Sequence, residues 1–514
     1  MIVSHRARRS TPRSFGRPRA AHVVAFVLVV AVALVFAYWH VGRQRVDVDE
    51  DVYVVSGWEY VHGVFIRNLE HPPTAKYLFG LAELVLGGPG PLGPRYVAAT
   101  ASFGTGLVLF LWFRRSVGFW GALVTAALWW LTPRANGAAW ADPGSGVATR
   151  MDRTALLEPV MVFFAVAALY AGWRWVTGDD RRRWLWAGAA GLLLALSVTS
   201  KVTTAVLVLA IIALPVLFRR WWDLLTGGAI AAGTFVVAFV ALYAPVGFER
   251  GFLHMLQFQT AHAANGHTIE LLGREYQFAP WWANFAYFTL GTSRWVVVVL
   301  VIGLVAAFVF RPDRLVVYLT IGLVAQVALL TSTDVALAHY YYAFMPLLIA
   351  LAGIGFGRAG WPRRSVGRRQ SVLRITAVCV VLALLVVPVV RLGEAVAHAR
   401  LAGVARLDGE LRARGVDGGT VLFTGYNLVA WRPYFFTRGT WSPDADDITA
   451  VVEGIDQRFP MRPGVASYLE THRDDLESFT VDELRVWIPK HGELRERGGV
   501  LEAVPGPAGR THSG

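Results

Sequence analysis

Apolar residues recur along the first three-quarters of the chain in windows long enough to cross a bilayer. A helix rises about 1.5 Å per residue, so roughly 20 apolar residues span a hydrocarbon core of about 30 Å. Windows of this kind lie near 21–41, 96–113, 118–132, 155–175, 185–199, 202–218, 226–245, 294–310, 315–332, 341–357 and 375–391. They predict a mainly α, polytopic membrane protein with about 11 transmembrane helices and its two termini on opposite sides. The stretches between windows at 42–95 and 246–293 are too long to be simple connections. Loops of that length in a compact protein are functional or disordered, and the aromatic and apolar content of these two argues for order.

After residue 391 the pattern changes. Residues 420–425 and 485–488 read as short buried strands and 446–457 as a helix, so 392–514 is expected to form a small α/β domain. The last dozen residues, rich in Gly and Pro, are expected to be disordered. No internal repeat of fixed period is visible.

Composition sharpens the class. Of 514 residues 55% are hydrophobic and 17% charged, with mean hydropathy +0.45; a soluble domain carries about 25% charge. Aqueous solubility, intrinsic disorder and a fibrous repeat are excluded. The single cysteine, Cys379, forbids an internal disulfide and a cysteine-based metal site.

The net charge of +13 gains meaning only from its placement. The basic tail 1–20, the pairs Arg114–Arg115 and Arg219–Arg220, Arg174 with Arg181, Arg182 and Arg183, Arg311 with Arg314, and the run 358–374 hold 22 basic and four acidic residues. The opposite side, up to Arg391, holds 13 basic and 14 acidic. This is the positive-inside asymmetry. It places the N-terminus in the cytoplasm, the two long loops and the 392–514 domain outside, and the whole in the cell membrane. The arginine-rich tail then reads as an orientation signal with no call for nucleic acid. The first window lacks a small-residue cleavage site and reads as an anchor.

Candidate chemistry gathers outside. Asp47, Asp49, Glu50 and Asp51 crowd the mouth of the first span, before Tyr53. A solvated acidic loop, a general base and a divalent-metal site all fit such a cluster, whose members raise one another's pKa. Then comes Glu70-His71-Pro72-Pro73-Thr74-Ala75-Lys76. Pro-Pro forces an extended approach and suits a first helical turn, so a surface helix running to Leu86 should carry Lys76 at its start. A cation is disfavoured there by the helix dipole. An anion such as phosphate would compensate, and only three of the 49 basic residues are lysines. Glu158 falls about one turn into an apolar helix, where a carboxylate is costly and usually functional. Lys201 sits at the break between two spans. His262, His267, Arg274, Trp281 and Trp282 lie in the second long loop, and Asp334 and His339 through Tyr342 at the outer end of another span. His262 and His267 have no further ligands in sequence to make a zinc site.

Taken in order, Asp49-Glu50 with Tyr53, His71-Pro72-Pro73 with Lys76, Arg153 through Glu158-Pro159, Ser200-Lys201, Ala279-Pro280-Trp281-Trp282 and the 340–346 run resemble the GT-C membrane glycosyltransferases. The resemblance is to the protein O-mannosyltransferase and aminoarabinose lipid A transferase branch, and covers roughly residues 20–357. It implies a GT-C-like transmembrane domain, 21–391, taking a sugar from a polyprenyl- or dolichyl-phosphate donor to a hydroxyl on a protein, lipid-linked glycan or envelope glycolipid. It weights the sugar toward mannose and gives catalytic roles to Asp49 and Glu50. By the same resemblance Lys76, Arg153, Lys201, His339 and Tyr341 would hold the donor phosphate. Tyr53, His71, Glu158, His262, Arg274 and Trp282 would line the substrate loops. The competing class is a transporter or flippase of a lipid-linked sugar, which should carry charge at the bilayer midplane; here the span interiors are nearly free of it.

Overall fold

The computed structural model describes residues 20–43, 46, 48–136, 150–178, 180–361, 367–399, 401, 403–425, 431–443, 445–454, 461, 463–482, 484–490, 492–497 and 500–505. Most of the basic tail, Asp47, part of the 358–374 run and the last nine residues therefore lie outside the described residues.

Helices α1 (Ala20–Tyr38), α2 (Val48–Val61), α3 (Thr74–Val85) and α4 (Leu92–Leu131) open the chain. They are followed by α5 (Leu157–Thr177), α6 (Arg183–Val198), α7 (Val208–Leu217) and α8 (Trp221–Tyr243). In the second long loop come α9 (His254–Asn265), a small hairpin of β1 (Ile269–Leu271) and β2 (Arg274–Tyr276), and α10 (Ala283–Thr292). The membrane part ends with α11 (Arg294–Phe310), α12 (Arg314–Thr331), α13 (Met345–Gly360), α14 (Arg368–Ala383) and α15 (Val386–Ala397). Among the described residues five helices are long and apolar enough to cross a membrane, with the 40-residue α4 counted once, or seven if each bent pair is one span. Three shorter apolar helices accompany them. The chain is a multi-pass membrane protein.

Helix α4 is in fact a hairpin. Gly118 has φ 82° and ψ −179°, a backbone conformation that only glycine adopts cheaply. Beyond it the chain folds back, so that Trp129 Nε1 donates to the Ser102 carbonyl at 2.8 Å and Trp130 Nε1 to that of Phe103 at 3.0 Å. A straight helix would hold residues 27 apart at about 40 Å. Each expected window from 96 to 132 thus has its own limb. The last expected span, 375–391, divides differently: α14 and α15 meet at a 44° bend, and α15 carries helix past the 391 boundary to Ala397.

The described residues between 403 and 505 form a layered arrangement of helices and strands. Its strands are β3 (Thr420–Thr424), β4 (Gly439–Thr440), β5 (Ile448–Gly454), β6 (Leu476–Val481), β7 (Leu484–Pro489), β8 (Gly492–Arg497) and β9 (Val500–Pro505). The sheet runs β4-β3-β5-β7-β6, with β8 pairing β5 and β9. Alternation sorts the side chains: Val421 and Phe423 pack against Val404, Leu407 and Leu411 of α16 (Gly403–Arg412). Leu422 and Val451 face Val465 and Leu469 of α17 (Pro463–Thr471) on the other side. Over its described part, 446–454, the expected helix is not there. Ile448-Thr449-Ala450-Val451-Val452 is a β-branched run, and it forms the central strand β5 between β3 and β7.

Candidate functional site

The two motif helices are locked backbone to backbone. A Cβ on Gly80 of α3 would lie 2.0 Å from the Gly57 carbonyl oxygen of α2, so only glycine permits this approach. At the other end of α3 the Thr74 amide donates to the Thr199 carbonyl at 2.8 Å, and the two hydroxyls lie 2.7 Å apart. That clasp brings the Ser200-Lys201 turn beside the His-Pro-Pro loop.

Asp49 and Glu50 begin α2, where carboxylates suit the positive end of the helix dipole. Their surroundings differ sharply. Glu50 is fully buried; Arg95 Nε and Nη2 donate to its two oxygens at 2.6 and 2.8 Å, and the Ala155 amide donates to Oε1 at 2.8 Å. This is a bidentate clamp that joins α2, α4 and the start of α5. Asp49 is 38% exposed, with Oδ2 at 3.8 Å from His339 Nδ1.

A row of groups continues from there. His339 is buried, its Nε2 lying 3.3 Å from Lys201 Nζ and 3.3 Å from Glu158 Oε1. Lys201 donates to Glu158 Oε1 and sits over the Tyr340 ring, 4.8 Å from its centroid. Glu158 stands in the first turn of α5, earlier than expected, and its buried Oε2 has no hydrogen-bond partner among the described residues. Burial holds His339 down at about 4, with Glu158 opposing and Lys201 adding to the shift, so the imidazole is neutral at pH 7. Burial alone would lower Lys201 as well, but Glu158 outweighs it and keeps the ammonium above its ordinary value. A neutral His339 accepting at Nε2 from Lys201 carries its proton on Nδ1, facing Asp49. The Nδ1 proton then points toward Asp49 Oδ2, which at 3.8 Å from the nitrogen is too far for a direct hydrogen bond. Tyr53, one turn into α2, is buried near Asp49 and Glu158 and meets the half-buried His71 edge to face at 5.6 Å.

The other residues expected at a phosphate lie apart from this row. Lys76 does sit in the first turn of α3, but Asn68 O at 2.6 Å, His71 O at 2.8 Å and Tyr60 Oη at 3.0 Å take its three protons. Carbonyl oxygens, with no anion among these acceptors, answer the unfavourable helix dipole. Arg153 donates to the Phe36 and Trp39 carbonyls at 2.6 Å each and caps the end of α1. Tyr341 donates to Ala135 O at 2.8 Å; it is Tyr340 that faces Lys201. The three basic residues expected to converge therefore leave Lys201 alone at the row. Arg274 is exposed in β2, and Trp282 is half-buried against Tyr276. His262 Nε2 lies 3.2 Å from His267 Nδ1. Among the described residues no group of three His, Cys, Asp or Glu side chains is placed to hold a metal ion, so no step is routed through one.

Sequence reading missed Arg95, the partner of Glu50, and a second buried cluster. Asp152 accepts from Ser102, from Arg134 Nη2 at 2.7 Å and from Arg150 Nε at 2.8 Å. Only a carboxylate expected inside a membrane protein hints at such partners, and pairing across 45 or 50 positions has no local signature.

An apolar groove of about 660 Å³ lies between α3, α4 and α5. Leu78, Leu81 and Val85 of α3, Val97 of α4, and Val160 and Phe163 of α5 form its walls, and Val160 is two residues from Glu158.

Residues 25–249 match the model of a family described as dolichyl-phosphate-mannose-protein mannosyltransferase. The fold is similar to that of ArnT from Cupriavidus metallidurans bound to undecaprenyl phosphate, with TM-score 0.61 at 15% identity, over 91% of this chain and 98% of that one. It is also similar to the archaeal oligosaccharyltransferase AglB from Archaeoglobus fulgidus in complex with an inhibitory peptide and a dolichol-phosphate. There the TM-score is 0.52 at 12% identity, over 92% and 74%. No curated protein sequence matches the chain. The family match thus covers residues 25–249, and over most of its length the chain shares the fold of these two proteins.

Proposed function

We propose that the chain is a membrane glycosyltransferase that moves a sugar, mannose in the first instance, from a polyprenyl-phosphate donor to an acceptor hydroxyl on the outer face. The observation that carries this is the row Asp49–His339–Lys201–Glu158 at the ends of several helices. Such transfer needs a base for the acceptor proton and a cation for the leaving phosphate, held a few ångströms apart. Asp49, the accessible member of the Asp49-Glu50 pair, takes the acceptor proton. The acceptor oxygen forms its bond to the anomeric carbon with inversion as the bond to the phosphate oxygen breaks. The electron pair leaves on polyprenyl phosphate, whose charge Lys201 meets, so no separate acid is required. Glu158 Oε2 accepts from a sugar hydroxyl. The groove beside Val160 suits the polyprenyl chain, being apolar and within reach of the same end of α5. Clustering of ionisable groups at helix ends favours this chemistry over passage of a substrate through the bilayer.

Membranes with and without the protein, supplied with a radiolabelled polyprenyl-phosphate sugar, test the reading; equal incorporation in both would refute it. Envelope glycans of a deletion strain, compared by mass spectrometry, identify the sugar and the acceptor. The orientation is proposed from the charge asymmetry: N-terminus cytoplasmic, C-terminal domain extracytoplasmic. A cysteine replacing Thr440 in a Cys379→Ala background should react with an impermeant reagent in intact cells, and failure to react would reverse the assignment.

A further inference from the structure

We infer that the C-terminal α/β domain is a positioning element for Asp49, acting through Arg432 on Asp51 and through Tyr434 on the Arg95–Glu50 clamp. This rests on the reading of Asp49 as the base.

Residues 431–435 meet the membrane part at three places, two of them at the start of α2. Asp51 is fully buried, and neither of its carboxylate oxygens has a hydrogen-bond partner among the described residues. Arg432 Nη1 lies 3.9 Å from Oδ2. The guanidinium is held by its own domain, 4.4 Å from the centroid of the Trp441 ring, with Arg67 and Glu59 of the first long loop also facing it. Tyr434 lies against Arg95 and Glu50. The Pro433 carbonyl overlies the turn at Gly90, whose amide donates to Glu83 Oε1 at 3.0 Å.

A carboxylate buried without hydrogen bonds is stable only beside a fixed cation or when protonated. For Asp51 the facing cation comes from the other domain. Burial beside Glu50 favours the protonated form as well, so the contact is a full ion pair only above about pH 8, where the exchange and transfer measurements below are made. Glu50 and Arg67 are the other charged groups facing Asp51; Glu50 repels it and is already clamped by Arg95. Asp51 is two residues from Asp49 in the same helical turn, so a shift of one moves the other. Displacements near 1 Å at a reacting group can lower rates about a hundredfold. The domain therefore supplies no reacting atom and still sets where the base points.

Full-length Arg432→Gln, Arg432→Lys and Asp51→Asn/Arg432→Gln variants test this in two ways. Hydrogen exchange of the α2 amides reports the clasp without any need for activity, and sugar transfer reports its consequence. Arg432→Gln should speed exchange at residues 49–55 and lower kcat roughly tenfold to a hundredfold, with the donor KM within about twofold. Arg432→Lys should recover part of both. The double variant removes the stranded carboxylate and should regain exchange protection relative to Arg432→Gln. Unchanged exchange in Arg432→Gln would overturn the clasp. Faster exchange with unchanged kcat would overturn the positioning role. If the wild type transfers no sugar the transferase reading fails by itself, and the positioning role with it, while exchange still decides the Arg432–Asp51 contact.

Discussion

His339 Nδ1 and Asp49 Oδ2 face each other across 3.8 Å, and the other nitrogen of the same ring lies 3.3 Å from Lys201 Nζ. One neutral imidazole thus stands between the accessible carboxylate and the buried ammonium. It keeps them apart by the width of a ring, so that they do not collapse into an ion pair with each other. Lys201 is instead paired to Glu158.

Asp49→Asn keeps the shape of the side chain and removes the basic oxygen. Turnover should fall by about two orders of magnitude, within the 10²–10⁴ range of general-base catalysis, with donor KM little changed. Glu50→Gln should act differently. It breaks a buried bidentate pair with Arg95, a loss of about 3–5 kcal/mol, and so should lower the melting temperature as well as activity. A fully active Asp49→Asn enzyme would remove Asp49 from the mechanism.

The two loop lysines should separate. Lys201→Gln removes the cation from the row and should raise the donor KM about tenfold or more. Lys76→Gln removes a cation satisfied by Asn68 O, His71 O and Tyr60; it should cost stability and leave the donor KM nearly unchanged. Steady-state kinetics beside melting curves for both variants distinguish the cases. A tenfold donor KM defect confined to Lys76→Gln would return the phosphate to α3.

Gly80→Ala should be poorly tolerated. Its methyl would meet the Gly57 carbonyl oxygen at 2.0 Å, and backbone cannot rotate away as a side chain can. Overpacking of this kind costs about 1–3 kcal/mol or more. Yield of folded protein in detergent should drop, whereas Gly228→Ala, with open space around its Cβ, should behave as wild type.

Asp51 gives the chain a pH signature. Burial pushes its carboxyl up to about 8, with Arg432 opposing and Glu50 adding to the rise. A group whose folded pKa is raised binds its proton more tightly when folded, so its contribution is fully present below the unfolded value near 4. That contribution is lost as pH rises through about 8. The upper bound is roughly 1.4 kcal/mol per pH unit. Apparent melting temperatures measured from pH 5 to 8.5 should fall more steeply for the wild type than for Asp51→Asn. Parallel curves would show that Asp51 is not the titrating group.

The apolar windows and the positions of the arginines were enough to specify a polytopic helical membrane protein and its expected orientation. Hydrophobicity and loop charge are local properties that act before any tertiary contact forms. Asp49-Glu50, His71-Pro72-Pro73, Glu158, Lys201 and His339 likewise stood out as candidates, because charge and Pro-Pro are conspicuous among apolar spans. Which of them act together was not. Asp49 and Glu50 are adjacent in sequence and alike in charge, yet one faces the site and the other is enclosed by Arg95, 45 positions away. Lys76 and Lys201 looked equivalent until Asn68 and His71 carbonyls closed around the first and Glu158 around the second. A helix was expected over 446–457; pairing with β3 and β7 makes 448–454 a strand, since its length and apolar content suit either element. Sequence determines which groups a chain carries and how each stretch prefers to bury itself. Burial and ion pairing belong to the packed structure, since both depend on which distant groups arrive at the same point.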